Sequence, residues 1–116
     1  MTWPLVTVAE TASYLAWVAG VLTEEERFAI VDLLASNPMC GVVLRDTGGI
    51  RKVRFARAGG GKSGGMRIVY YFYNENMPVY ILAGFAKNEK ANLSAAECAA
   101  LRKLVERILE ARGMNS

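Results

Sequence analysis

The sequence predicts an α+β domain with an N-terminal pair of helices, an antiparallel sheet carrying a basic face, and a C-terminal helix. Three observations carry that prediction. Two capping boxes, Thr23 with Glu26 and Ser94 with Glu97, each open a run with helical spacing. Between them lie three runs rich in β-branched and aromatic residues, separated by glycine-rich or Asn-Pro turn chemistry. Strands grouped between helices, instead of alternating with them, are the order of an α+β fold. A chain of 116 residues with 53% hydrophobic side chains has the size and the apolar content for one domain over residues 1–116.

In chain order, Trp3 to Val8 alternates weakly and reads as a short first strand or as the amphipathic start of the next helix. From Ala9 to about Gly20 the spacing is helical, with Leu15, Val18, Ala19 and Leu22 on one face. Thr23 then caps a helix predicted to reach Ala35 and stop before Pro38, with Glu24, Glu25 and Glu26 at its positive end. After Gly48-Gly49, the stretch Ile50 to Arg57 alternates, Val53 and Phe55 pointing one way and Lys52, Arg54 and Ala56 the other. Met66 to Tyr73 forms the next strand, and Asn74 to Pro78 turns the chain into Val79 to Phe85, closing a three-strand meander. The last helix places Leu101, Leu104, Val105 and Ile108 on one stripe before Gly113 stops it.

Several function classes drop out. The longest apolar run, Tyr14 to Leu22, is about half of the ~20 residues that a membrane helix needs. The first twenty residues hold no Lys or Arg and do hold Glu10, unlike a secretory signal, so a cytosolic protein without membrane contact is expected. Cys40 and Cys98 stand far apart without partners at metal-ligand spacing, which argues against disulfide and zinc frameworks. Histidine is absent, which removes the commonest general base and the commonest metal ligand. No cofactor and no metal is expected.

Charge locates the site. Residues 1–44 carry a net −4, residues 45–67 a net +6 and residues 68–116 a net +1. The central stretch thus holds Arg51, Lys52, Arg54, Arg57, Lys62 and Arg67 with little acidic interleaving, on two strands and the loop between them. Like charges gathered in this way repel, and an anionic partner relieves the repulsion. Lys87, Asn88 and Lys90 follow the last strand and are expected to converge on the same patch, while Tyr71 supplies a ring for stacking on a base. Gly61-Lys62-Ser63 matches the end of a phosphate-binding glycine loop. That motif needs a first glycine where this chain has Ala56, and a helix where it has a strand, so the segment reads as a hairpin loop.

The stretches Thr47 to Arg57, Gly61 to Tyr71, and Phe85 to Lys90 with Leu93-Ser94 resemble, in order, three blocks of the RelE-like toxins of bacterial toxin–antitoxin modules, most closely their HigB-type branch. The resemblance implies a small α+β ribonuclease that enters the ribosomal A site and cuts mRNA during translation, held inactive by an antitoxin partner, expected to be a helix-turn-helix protein. By position, Lys52 and Arg54 match two outward basic residues of the family's strand, Arg67 an arginine of the following strand, and Lys87 a basic cluster beyond the last one. The implied chemistry is attack of the ribose 2′-hydroxyl on the adjacent phosphate. Arginine stays protonated and can only neutralise charge, so Arg54 and Arg67 are the expected phosphate clamp, Lys52 the candidate base and Lys87 the group near the leaving oxygen. Arg51, Arg57, Lys62, Tyr71, Asn88 and Lys90 are the expected RNA contacts. Some family members carry a tyrosine where this chain has Ser94. Two alternatives stand beside this reading: a ParE-type gyrase inhibitor, and a non-catalytic RNA-binding module.

Overall fold

The computed structural model describes residues 5–56, 65–87, 90 and 92–113. Its elements are β1 (Val8–Glu10), α1 (Ala12–Val18), α2 (Glu24–Ser36), β2 (Val42–Val43), β3 (Ile50–Phe55), β4 (Met66–Tyr71), β5 (Val79–Ala86) and α3 (Ala95–Ala111). The strands form one sheet in the order β1-β5-β4-β3-β2. The expected meander is there as β3, β4 and β5, all antiparallel, but β1 joins its far edge in parallel. The sheet is therefore mixed.

The first strand lies at Val8–Glu10, later in the chain than Trp3 to Val8, because backbone pairing with β5 decides it. Val79 N donates to Thr7 O, and Thr11 reaches β5 twice, through its backbone N and its hydroxyl, both to Ile81 O. The same Thr11 hydroxyl caps α1 by accepting from Tyr14 N. α1 is correspondingly shorter than its expected run. It buries Tyr14 and Val18, and of the expected stripe Ala19 is exposed and Leu22 lies beyond the helix. Both predicted capping boxes are formed, at Thr23/Glu26 on α2 and Ser94/Glu97 on α3.

Burial on two sides governs the rest. Met66, Ile68 and Tyr70 of β4 pack with Tyr14 and Val18 of α1 and with Ile30 and Leu34 of α2. Val69 and Tyr71 point the other way and pack with Leu101, Val105 and Leu109 of α3. The apolar run Ile68 to Phe72 fits a strand enclosed between layers, not one with a wet face. A bulge after Val69 shifts the register with β5, so that Val69 opposes Ala83 and Tyr70 opposes Ile81. Gly84 lets α1 approach β5 closely: a Cβ there would lie 2.9 Å from Val18.

The β3 edge is fixed from below. The buried Tyr70 hydroxyl donates to Pro38 O and accepts from Gly41 N, each at 2.8 Å. Arg51, directly across from Tyr70, donates to Gly41 O at 2.7 Å. These bonds hold residues 38–41 so that β2 arrives beside β3, Val42 opposite Lys52. Tyr70→Phe leaves the Gly41 N–H and Pro38 carbonyl without that partner and should cost about 1–3 kcal/mol. Urea unfolding should show a lower midpoint with an unchanged slope, and a midpoint equal to that of the parent would refute the pinning role.

Candidate functional site: a cationic row at the end of the sheet

On the α3 side of the sheet, successive rows run across the strands. Ile50 opposes Tyr71 and Lys52 opposes Val69, and beyond them Arg54 opposes Arg67, which in turn opposes Phe85. Ile50, Val69 and Tyr71 lie in the core with α3. The cations occupy the row and a half beyond it. Lys52, Arg54 and Arg67 therefore share one face, as the alternation of β3 predicts, but that face is a basic end and not a basic sheet face. Its remainder is core.

The geometry of the row is unfavourable without an anion. Side chains directly opposite on paired strands have Cβ atoms about 4.5–5.5 Å apart, and like charges there repel. Arg67 is also half-buried, and its Nη1 is buried with no hydrogen-bond partner among the described residues. A guanidinium N–H shut away from both water and acceptors is costly. Arg54 is exposed, and its Nε lies near Gly65, so the second guanidinium borders the same hairpin end. Lys87 N donates to Gly65 O, which brings exposed Lys87 to that end as well. Lys52 Nζ donates to Asn92 Oδ1 at 3.5 Å. Two planar forks, one lysine at the edge and another at the far side can surround a phosphodiester.

A model of the RelE toxin of RelE/RelB toxin–antitoxin systems matches residues 39–115, the stretch that holds every member of this row. The chain belongs to the RelE toxin family. Among solved structures it is similar to the toxin RelE of E. coli, a double arginine-to-alanine mutant in the free state, with a TM-score of 0.54 and 19% identity over 90% of this chain and 99% of that one. That likeness is one of fold.

In this RelE-family toxin the other expected contacts separate. Arg57, Lys62 and Asn88 lie outside the described residues. Arg51 alternates with Lys52 and points to the opposite face, where the Gly41 carbonyl takes it, so it is a structural tie away from the row. Tyr71 is 4% exposed, walled in by the α3-side core, and offers no free ring face to a base. Burial raises its phenol pKa. Lys90 is half-buried and ion-paired with Glu97, and it lies 5.2 Å from the centroid of the Trp17 ring and 6.0 Å from that of Phe85. Ser94 is the N-cap of α3, its Oγ accepting from Glu97 N. Sequence reasoning passed over Asn92, a single polar residue in a polar stretch with nothing to mark it. It found Glu97 only as a cap.

Two outcomes follow. Arg67→Met removes the orphaned donor and the like-charge opposition while keeping an unbranched stem, so it should stabilise the fold by about 1 kcal/mol. A lowered urea midpoint would show that Arg67 is internally satisfied. Glu97 is held below its ordinary value of 4.5, first by the Lys90 hydrogen bond and then by the Ser94 backbone N–H. A depressed folded-state pKa gives stability that is present above the unfolded value and lost as pH falls through the folded one. Glu97→Gln should therefore flatten the stability profile below about pH 4.5 and leave its neutral-pH slope alone, as read from urea midpoints across pH.

Proposed function

We propose that this toxin is an endoribonuclease of the HigB-type branch that cleaves mRNA in the ribosomal A site and so stops translation, acting in the cytosol and silenced by an antitoxin of helix-turn-helix type. The observation that supports it most is the buried Arg67 Nη1, without a partner among the described residues and directly across from Arg54. Charge opposition of this kind is relieved by an anion that both guanidinium forks can grip, and a phosphodiester is such an anion.

In the proposed reaction the ribose 2′-oxygen attacks the adjacent phosphorus, and the bond from phosphorus to the 5′-oxygen breaks. Lys52 takes the proton from the 2′-hydroxyl. Arg54 and Arg67 neutralise the charge that develops on the non-bridging oxygens, a role in which loss of one donor commonly costs about 10²–10³ in rate. Lys87 supplies a proton to the leaving oxygen, so the products are a 2′,3′-cyclic phosphate and a 5′-hydroxyl. No step in this scheme runs through a metal.

The chain has no histidine and carries Ser94, already used as a cap, at the position of a family tyrosine. Acid–base power is thus modest, and rate must come from clamping and positioning. Positioning by a partner that holds the reacting groups in line is worth about 7–11 kcal/mol, and a ribosome presenting an A-site codon is such a partner. Primer extension on one transcript, with and without programmed ribosomes at matched salt, should show cuts within or between translated codons and none on free mRNA. Enzyme dialysed against EDTA before addition should cut at the same rate. Equal cutting of free RNA would mean a free-standing nuclease; no cutting, with gyrase inhibited instead, would mean a ParE-type toxin.

A further inference from the structure

We propose that Lys90 and Glu97 act as positioning residues for the cationic row, fixing Arg67 through Phe85 and Lys52 through Asn92, so that Lys90 serves the reaction without touching RNA. The inference rests on the ribonuclease reading of that row. Lys90 looks in sequence like one more RNA-contacting cation, but its charge is already spent. Its ammonium binds Glu97 Oε2 and lies over the faces of Trp17 and Phe85, an arrangement that ties α1, β5 and α3 together at one atom. Glu97 is committed on its other side as well, since Oε1 accepts from Ser94 N at the start of α3. One carboxylate thus fixes both the helix end and the lysine.

Two lines run from this staple to the row. Trp17 meets Phe85 with ring centroids 6.0 Å apart, and Phe85 sits directly across from Arg67 on the neighbouring strand. Register partners place their side chains side by side on one face, so the ring borders the position of Arg67, and the cation over it holds the ring. The second line is the chain itself: Lys90 N donates to Ala86 O, and two residues further on Asn92 accepts from Lys52 Nζ. Releasing Lys90 therefore loosens the surroundings of a clamp arginine and of the candidate base together. Reacting groups must be held closely, and a displacement of about 1 Å costs on the order of 10²-fold in rate.

The test compares Lys90→Met, Lys90→Arg and Glu97→Gln with the parent on programmed ribosomes. Methionine keeps the stem and loses the charge, arginine keeps both contacts, and glutamine still satisfies the capping box. Lys90→Met and Glu97→Gln should lower the saturated cleavage rate about 10- to 100-fold with the half-saturating concentration changed less than about threefold, and Lys90→Arg should recover most of the rate. Independently of activity, the Arg67 side-chain ¹⁵Nε resonance should move in Lys90→Met and stay near its parent position in Lys90→Arg. A parent that cuts nothing would end the ribonuclease reading, while the Arg67 resonance would still decide the staple. Weakened half-saturation at an undiminished rate, with the salt slope of binding reduced by about one, would make Lys90 a phosphate contact and overturn the proposal. So would an unmoved Arg67 resonance in Lys90→Met.

Discussion

β4 is enclosed on both faces, and the placement of every other element follows from that. A strand reading Met-Arg-Ile-Val-Tyr-Tyr offers apolar residues to both sides, so it cannot sit at an edge or under water. β3 and β5 flank it, α1 and α2 close one face, and α3 closes the other. The one charged residue in that strand, Arg67, lies where α3 stops covering the sheet. Part of its fork is shut away without an acceptor among the described residues, so they do not offset the cost of placing a guanidinium there. A strand built for burial has thereby been made to hold a cation for something outside itself. Local frustration of this kind marks a functional position more sharply than exposed charge does.

The rest of the site borrows rigidity from the layers below. β3 is nearly an edge strand, since β2 contributes only Val42 and Val43, and such a strand carrying Lys52 and Arg54 would twist and fray if left alone. Tyr70 and Arg51 prevent this from the far face by gripping the backbone of residues 38–41. The turn above is held by Thr47, whose buried hydroxyl donates to Leu44 O and accepts from Ile50 N, while Gly49 at φ 114° takes a conformation closed to other residues. Cations on one face are therefore fixed by hydrogen bonds on the other.

Much of this was legible in the sequence, and the failures have physical causes. The capping boxes located α2 and α3 because their signal is local, a hydroxyl and a carboxylate three residues apart. Alternation put Lys52 and Arg54 on one side of β3 for the same reason. β1 and β2 were not legible as they stand, being three and two residues long and formed by partners distant in the chain. The basic face is smaller than the alternation suggests, because alternation tells which residues share a side but not how far a helix from elsewhere covers it. Composition points Tyr71 toward RNA, but the register that buries it under α3 is a tertiary fact. Arg51 fails likewise: one residue from Lys52, it is on the wrong side of the sheet.

Formal charge therefore overstates the site. The cluster of positive residues that the sequence presents as one patch resolves into cations with different work: Arg51 bonds backbone carbonyls beneath the sheet, Lys90 is neutralised by Glu97, and Lys52, Arg54, Arg67 and Lys87 are left at the open end. At longer range a polyanion also meets the charge of Arg51 but not that of the Lys90–Glu97 pair, whose charges cancel, and screening confines this to about 8 Å at physiological salt. On the proposed reading, contact chemistry draws on the last group alone. The acidic N-terminal segment fits this division, for the Glu10–Arg27 pair, bidentate at 3.0 and 3.1 Å, uses up that segment's only basic residue and leaves its surface negative. Charge divided in this way favours an anionic partner at the row over one at the N-terminal segment.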